Sequence, residues 1–220
     1  MSKRMVIDLL RHGACSDGDI YRGRTDSALS ARGWEQMQSV MAVAEQAQWQ
    51  SLYSSPLQRC LLPAKQFAER LGLPLQPSAQ LREIDFGDWD GQLQQRVWEQ
   101  RQDQVLAFWS DPLHHPPPGG ESIQSLQQRL QLQLRAWLQD FAVTPTDSRL
   151  LCVTHAGVIR TLLCQLLGMS ITAGQQLSID YGSLTRIELY PTDRQELSQP
   201  DFYAQIVFVN RLFHLSDHER

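Results

Sequence analysis

His12 and His155 each follow a short apolar run and stand one or two residues before a glycine, in Leu9-Leu10-Arg11-His12-Gly13 and Cys152-Val153-Thr154-His155-Ala156-Gly157. An imidazole at such a place can serve as a nucleophile or a base. One alone is usually structural, but two at matching topological positions point to a shared site. Arg59 closes the segment Ser54-Ser55-Pro56-Leu57-Gln58-Arg59, with proline at an expected first helical position and arginine in the first turn. Free N–H groups at a helix start favour anions, and a guanidinium adds a fork of donors suited to phosphate oxygens. Glu83 lies in Leu81-Arg82-Glu83-Ile84-Asp85-Phe86-Gly87-Asp88-Trp89-Asp90-Gly91, where Asp85, Asp88 and Asp90 read as loop caps or surface charges. A nucleophile or base, cationic clamps and a carboxylic acid are the parts that phosphoryl transfer needs: in-line attack, stabilised equatorial oxygens and a proton for the leaving oxygen.

Other routes to the same chemistry fit less well. A cysteine phosphatase needs a Cys-x5-Arg loop, and none of Cys15, Cys60, Cys152 and Cys164 has an arginine at that spacing. These cysteines read as small packing residues, with no CxxC pair for zinc or a disulfide framework, and a reducing cytoplasm is the expected setting. Metal catalysis would gather carboxylates and histidines, yet the strand-end residues are cationic or neutral; neither a metal nor a cofactor is expected. A net charge of −4 leaves no basic surplus for nucleic acid. No apolar run approaches the roughly 18 residues of a membrane span. The expected partner is a small-molecule phosphomonoester.

The chemistry-bearing residues must be delivered by strands and helices. Met5 to Leu10 reads as a buried strand, and similar runs recur at Ser51–Ser54, Leu150–Thr154, Ser183–Leu189 and Gln205–Leu212. Helical patterns alternate with them: one after a Ser30 N-cap, one over Pro56–Leu71, one over Val158–Leu167 that stops at Gly168. Such alternation predicts an α/β fold, a three-layer αβα sandwich with a mostly parallel sheet. The 220 residues suit one domain. The span 91–144 is expected to be a helical insertion, a lid or cap at one sheet edge, broken by Asp111-Pro112 and Pro116-Pro117-Pro118-Gly119-Gly120. In its second half, Ile123, Leu126, Leu130, Leu134, Trp137, Leu138 and Phe141 keep helical spacing and are expected to face the core.

Taken together, Arg-His-Gly, Ser-Ser-Pro-Leu-x-Arg, the Glu83 region and Thr-His-Ala-Gly resemble the histidine phosphatase superfamily, in the branch that includes cofactor-dependent phosphoglycerate mutase. The resemblance spans Arg11 to Arg160, in the family's order. It implies that His12 becomes phosphorylated, that Arg11, Arg59 and His155 form the phosphate pocket, and that Glu83 is the proton donor and acceptor. Phe86-Gly87-Asp88-Trp89 and the stretch Phe108-Trp109, Asp111-Pro112, His114 and Pro118-Gly119-Gly120-Glu121-Ser122 most resemble the α-ribazole phosphatases of cobalamin assembly. That likeness implies hydrolysis of α-ribazole 5′-phosphate through a phosphohistidine. The alternatives are a broad-specificity or mutase-like enzyme and, from another class, an inactive phosphate-binding module. Ala14-Cys15 replaces the Glu-Thr common in the family, and the loop through Asp17, Tyr21, Arg22 and Arg24 is short. Arg24 and Trp89 are the expected substrate contacts, with Trp89 and Trp109 offering surfaces to a base.

Overall fold

The computed structural model describes residues 3–192 and 202–213. Its strands are β1 (Met5–Arg11), β2 (Ser51–Ser54), β3 (Leu75–Pro77), β4 (Ser148–Thr154), β5 (Leu184–Pro191) and β6 (Phe202–Arg211). Its helices are α1 (Ala31–Ala42), α2 (Ala44–Ala47), α3 (Gln58–Leu71), α4 (Gln94–Ser110), α5 (Ile123–Ala142), α6 (Ala156–Leu167) and α7 (Ile171–Gly174). The strands form one sheet in the order β3-β2-β4-β1-β5-β6. β3, β2, β4 and β1 run parallel, while β5 and β6 are antiparallel additions at one side.

Side chains alternate across a strand, so the near-continuous apolar runs of β1 and β4 must feed two cores. Met5, Ile7, Leu9, Leu150 and Cys152 pack with Leu126, Leu130 and Trp137 of α5 and Val158 and Leu162 of α6. Leu10, Leu151 and Val153 pack on the other face with Met37 and Val40 of α1 and Phe67 of α3. This is the expected three-layer sandwich. Asp8, the acid inside the β1 run, is fully buried and accepts from Arg186 Nε at 2.8 Å and Trp49 Nε1 at 2.7 Å. A buried carboxylate is tolerable only when paired in this way.

The chain punctuation works as its chemistry dictates. Ser30 Oγ accepts from Gly33 N at the start of α1, and Gly168 ends α6 in the left-handed conformation. α3 begins at Gln58 rather than at Pro56, which leaves Arg59 in the first turn. β3, with three residues, is too short to carry a periodic signal. The span 91–144 divides between two jobs. α5 covers a sheet face rather than an edge, because its apolar stripe enters the main core. α4 instead joins Tyr21, Trp89, Val97, Val105 and Phe108 in a separate aromatic cluster. It breaks at Arg101 (φ −142°, ψ 34°), whose Nη1 lies 3.4 Å from Asp88 Oδ2. No helix among the described residues is long and apolar enough to cross a membrane.

Candidate active site

The parallel register pairs Arg11 with Thr154, so the next residue of each strand, His12 and His155, emerges at the same sheet edge. The His12 N–H donates to Thr154 O at 3.0 Å, and the two imidazole centroids stand 5.2 Å apart at 65°. Gly13 lets the chain turn away beneath α1, since a Cβ there would come within 2.1 Å of Gly33 O.

The tautomers follow from the partners. His12 Nδ1 lies 2.8 Å from Gly13 O, and a carbonyl can only accept, so Nδ1 carries the proton and the Nε2 lone pair is free. Burial, then the charges of Arg59 and Arg11, hold the His12 pKa well below its ordinary value. The ring is neutral and nucleophilic. His155 is the reverse case: its Nδ1 accepts from Arg59 Nε at 3.3 Å, leaving the proton on Nε2, 2.8 Å from Ser55 Oγ. Burial and Arg59 depress its pKa as well. Cys15 Sγ is 3.8 Å from His12 Nδ1, but burial raises its thiol pKa, which disfavours a competing thiolate.

The arginines differ in how many donors remain unspent, out of the five that a guanidinium carries. Arg59 is fully buried and gives Nε to His155, Nη1 to Thr25 O at 2.7 Å, and Nη2 to Arg22 O and Gly23 O at 3.2 and 2.9 Å. It anchors the loop and presses positive charge on both imidazoles. Arg11 donates from Nη1 to Ile179 O at 2.6 Å, and its buried Nε has no partner. Most of its fork is available to an oxyanion beside His12.

A cavity of about 220 Å³ opens over Arg11, His12 and Glu83. Tyr21, Phe86, Phe108 and Trp109 form an aromatic wall, while Arg22, Arg160, Gln175 and Tyr181 supply polar lining. Glu83 is held by backbone amides, Oε1 by Ile84 N at 3.1 Å and Oε2 by Gly157 N at 3.2 Å. A Cβ at Gly157 would stand 2.4 Å from Glu83 Oε1, so a larger residue would displace the carboxylate from this position. Among the described residues no group of three or more His, Cys, Asp or Glu could hold a metal ion.

Of the expected site residues, the structure brings Arg11, His12 and Glu83 to the cavity surface and sets Arg59 and His155 directly behind His12. The two expected substrate contacts differ in outcome, and that of Trp89 needs correction. Trp89 is fully buried against Tyr21 and Phe108, because a turn at Gly87–Trp89 directs the indole into the aromatic cluster rather than the cavity. Arg24 is 79% exposed and pairs with Asp85 at 2.9 Å, lining with Arg82 and Arg129 an adjoining hollow that shares Glu83 with the cavity over His12. Local sequence does not mark Arg22, Arg160 or Tyr181, which reach the cavity through tertiary contacts. The acids act as caps: Asp85 accepts from Gly87 N, and Asp90 accepts from Arg24 N and Thr25 N. Ser122 starts α5 as its N-cap.

Comparison with known proteins follows the same lines. The description "Histidine phosphatase superfamily (branch 1)" matches residues 7–200. The adenosylcobalamin/alpha-ribazole phosphatase of Escherichia coli (strain K12) is 29% identical over 84% of this chain and 90% of its own. Phosphoserine phosphatase 1 of Hydrogenobacter thermophilus is 27% identical over 82% of this chain and 85% of its own. A mycobacterial glucosyl-3-phosphoglycerate phosphatase, solved in complex with VO3, superposes with a TM-score of 0.79 at 26% identity, covering 95% of this chain and 99% of that one.

Proposed function

The chain belongs to the histidine phosphatase superfamily, branch 1, and from that premise we propose that it hydrolyses phosphomonoesters through a phosphohistidine at His12, with α-ribazole 5′-phosphate as substrate. One observation carries the reading. A neutral imidazole with a free Nε2 lies beside a guanidinium whose donors are mostly uncommitted, so nucleophile and oxyanion clamp are already assembled.

In the first step Nε2 attacks phosphorus in line and the P–O bond to the leaving alcohol breaks. Arg11 takes up charge on the equatorial oxygens, with the Arg59 charge reinforcing the field from behind and His155 holding Arg59 Nε in place. Glu83 gives its proton to the departing oxygen, so an alcohol leaves and a carboxylate remains. In the second step water attacks the phosphohistidine. Glu83 recovers a proton, the N–P bond breaks and inorganic phosphate is released. Phosphorylated His12 keeps its Nδ1–H on Gly13 O, so the ring need not turn between steps.

The aromatic wall supports a leaving group that carries a flat base, with Trp109 the one of the two expected tryptophans that lines the cavity. The test is kcat/KM on α-ribazole 5′-phosphate, phosphoserine and 3-phosphoglycerate after exhaustive chelation. The proposal expects undiminished turnover and the highest efficiency on the ribazole ester. Equal efficiency on the small acids points to a broad-specificity phosphatase, and activity restored by a divalent ion overturns the metal-free mechanism.

A further inference from the structure

Tyr181 lies in the loop between α7 and β5, outside every motif that marks the family resemblance. Its ring covers the Arg11 guanidinium, whose central carbon is 3.7 Å from the ring centroid, and its centroid is 5.5 Å from that of His12. Its hydroxyl accepts from Arg22 Nη1 at 3.3 Å. Arg22 is buried, with its side chain 7% exposed, and its remaining bonds are cage contacts: Nε to Asp17 Oδ1 and Ser27 Oγ, Nη2 to Asp17 Oδ1 and Gly18 O. Both arginines line the cavity, and both add positive charge at His12. One tyrosine therefore touches two guanidinium groups by different forces, a π face on one and a hydrogen bond on the other.

The loop itself is stitched in place. Asp180 N donates to Asn210 Oδ1 at 2.6 Å and Asn210 Nδ2 donates back to Asp180 Oδ2 at 2.9 Å. Gly182 N donates to Arg11 O at 3.2 Å and Arg11 N to Ser183 O at 3.0 Å, so the tyrosine is clamped to the backbone of the arginine it covers. Gly182 has φ +71°, a conformation that favours glycine and lets the chain turn directly after Tyr181.

We propose that Tyr181 is a positioning residue which bridges Arg11 and Arg22 and fixes a two-arginine clamp for the phosphoryl oxygens, with Arg22 as a phosphate-binding residue. The short loop at 14–24 brings in Arg22, and Asp17 keeps that guanidinium charged and oriented in the absence of substrate. The inference rests on the phosphohistidine reading of the same site. It requires that Tyr181 matter most when phosphorus is five-coordinate, because positioning errors cost more against the geometry that a clamp is built to fit.

The test compares Tyr181→Phe and Tyr181→Ala with the wild-type enzyme, using p-nitrophenyl phosphate turnover and the affinities of vanadate and inorganic phosphate. Phe keeps the ring face and loses the bridge to Arg22; Ala loses both. The expected fall in kcat is about 10-fold for Phe and about 100-fold for Ala, the usual scale for losing a charged hydrogen bond and then a shielded cation–π contact. Vanadate affinity should fall in parallel and phosphate affinity by less, with thermal stability little changed for Phe. If both variants keep wild-type vanadate affinity, or if Phe matches the wild type in kcat while Ala raises only KM, Tyr181 is merely wall and the inference is overturned. A wild-type enzyme that binds no vanadate overturns the phosphohistidine reading along with it. Should Ala not fold, Phe alone still decides the bridge.

Discussion

At the floor of the cavity, Arg11 and His12 sit at a strand end with Arg59 and His155 behind them, and each side chain is held by at least one backbone group or site residue while Arg11 Nε and His12 Nε2 stay open. Along the wall, Phe108 and Trp109 ride on the part of α4 beyond its break at Arg101, and Trp109 is 45% exposed. The floor is rigid because phosphoryl charge must meet donors that need no reorganisation. The wall needs only apolar area and shape, which a helix can supply from the far side of a bend. Changes to the nucleophile and the guanidinium clamp should therefore alter chemistry for every ester, changes to Glu83 should weigh most on esters with a basic leaving group, and changes at the wall should alter only recognition of the base.

The largest effect expected at the floor that separates steps is that of Glu83. A sugar alkoxide needs a proton as it leaves, whereas p-nitrophenolate does not. Glu83→Gln should slow hydrolysis of the sugar phosphate by roughly 10²–10⁴-fold. It should slow phosphorylation of the enzyme by p-nitrophenyl phosphate far less, a step isolated by burst kinetics. Gly157→Ala, which crowds the same carboxylate, should move the same step by about 10-fold. Equal losses of the phosphorylation step on both esters remove Glu83 from the leaving-group role and make Asp85 or Asp88 the next candidate.

At the wall, Trp109→Ala should lower kcat/KM for α-ribazole 5′-phosphate by about 10-fold, the scale of one lost aromatic contact, and leave p-nitrophenyl phosphate nearly unchanged. Trp89→Phe is its counterpart: a stability loss of about 1–2 kcal/mol in urea titration with kcat/KM retained, since the indole is core. If Trp89→Phe selectively weakens the ribazole ester, the division between wall and core is drawn in the wrong place.

The mildest effect is on pH dependence. The folded pKa values of His12 and His155 lie below the ordinary 6.5, so between those values and 6.5 the unfolded chain binds protons that the native state does not. Stability is full above 6.5 and falls as pH drops through it, by up to about 1.4 kcal/mol per pH unit for each ring. The acid limb of kcat/KM should not be set by a group titrating near 6.5. Denaturant midpoints and rate profiles between pH 5 and 8 check both signs; a native imidazole resonance that titrates at 6.5 and is missing from His12→Ala contradicts the depressed nucleophile.

What was legible in the sequence follows the same divide. Floor residues are marked by contiguous motifs because each is placed by its own strand end or helix start, and the β1–β4 register then does the rest. Glu83 was marked by the family resemblance, since four acids crowd its segment and their spacing alone does not choose among them. Wall residues were legible only in part, since Trp109 was expected there correctly and Trp89 was not. Trp89 and Trp109 look alike in sequence, and only the turn at Gly87–Trp89 and the path of α4 decide which one is buried. Arg24 and Arg22 are two residues apart, and Asp85 and Asp17 draw them to opposite fates. Tyr181 depends on Asn210, from the distant β6, and no short motif could carry it. The apolar stripe of α5 was legible, but whether it met an edge or a face depended on the rest of the sheet.

The central claim is that the phosphoryl group rests on His12. Rapid quench of the enzyme with radiolabelled substrate, followed by peptide mapping, tests it most directly. The account predicts one labelled phosphoramidate, acid-labile and base-stable, on the peptide containing Arg11-His12-Gly13, and no label or turnover above background in His12→Ala. Label on a serine or cysteine, or near wild-type turnover by His12→Ala, contradicts it.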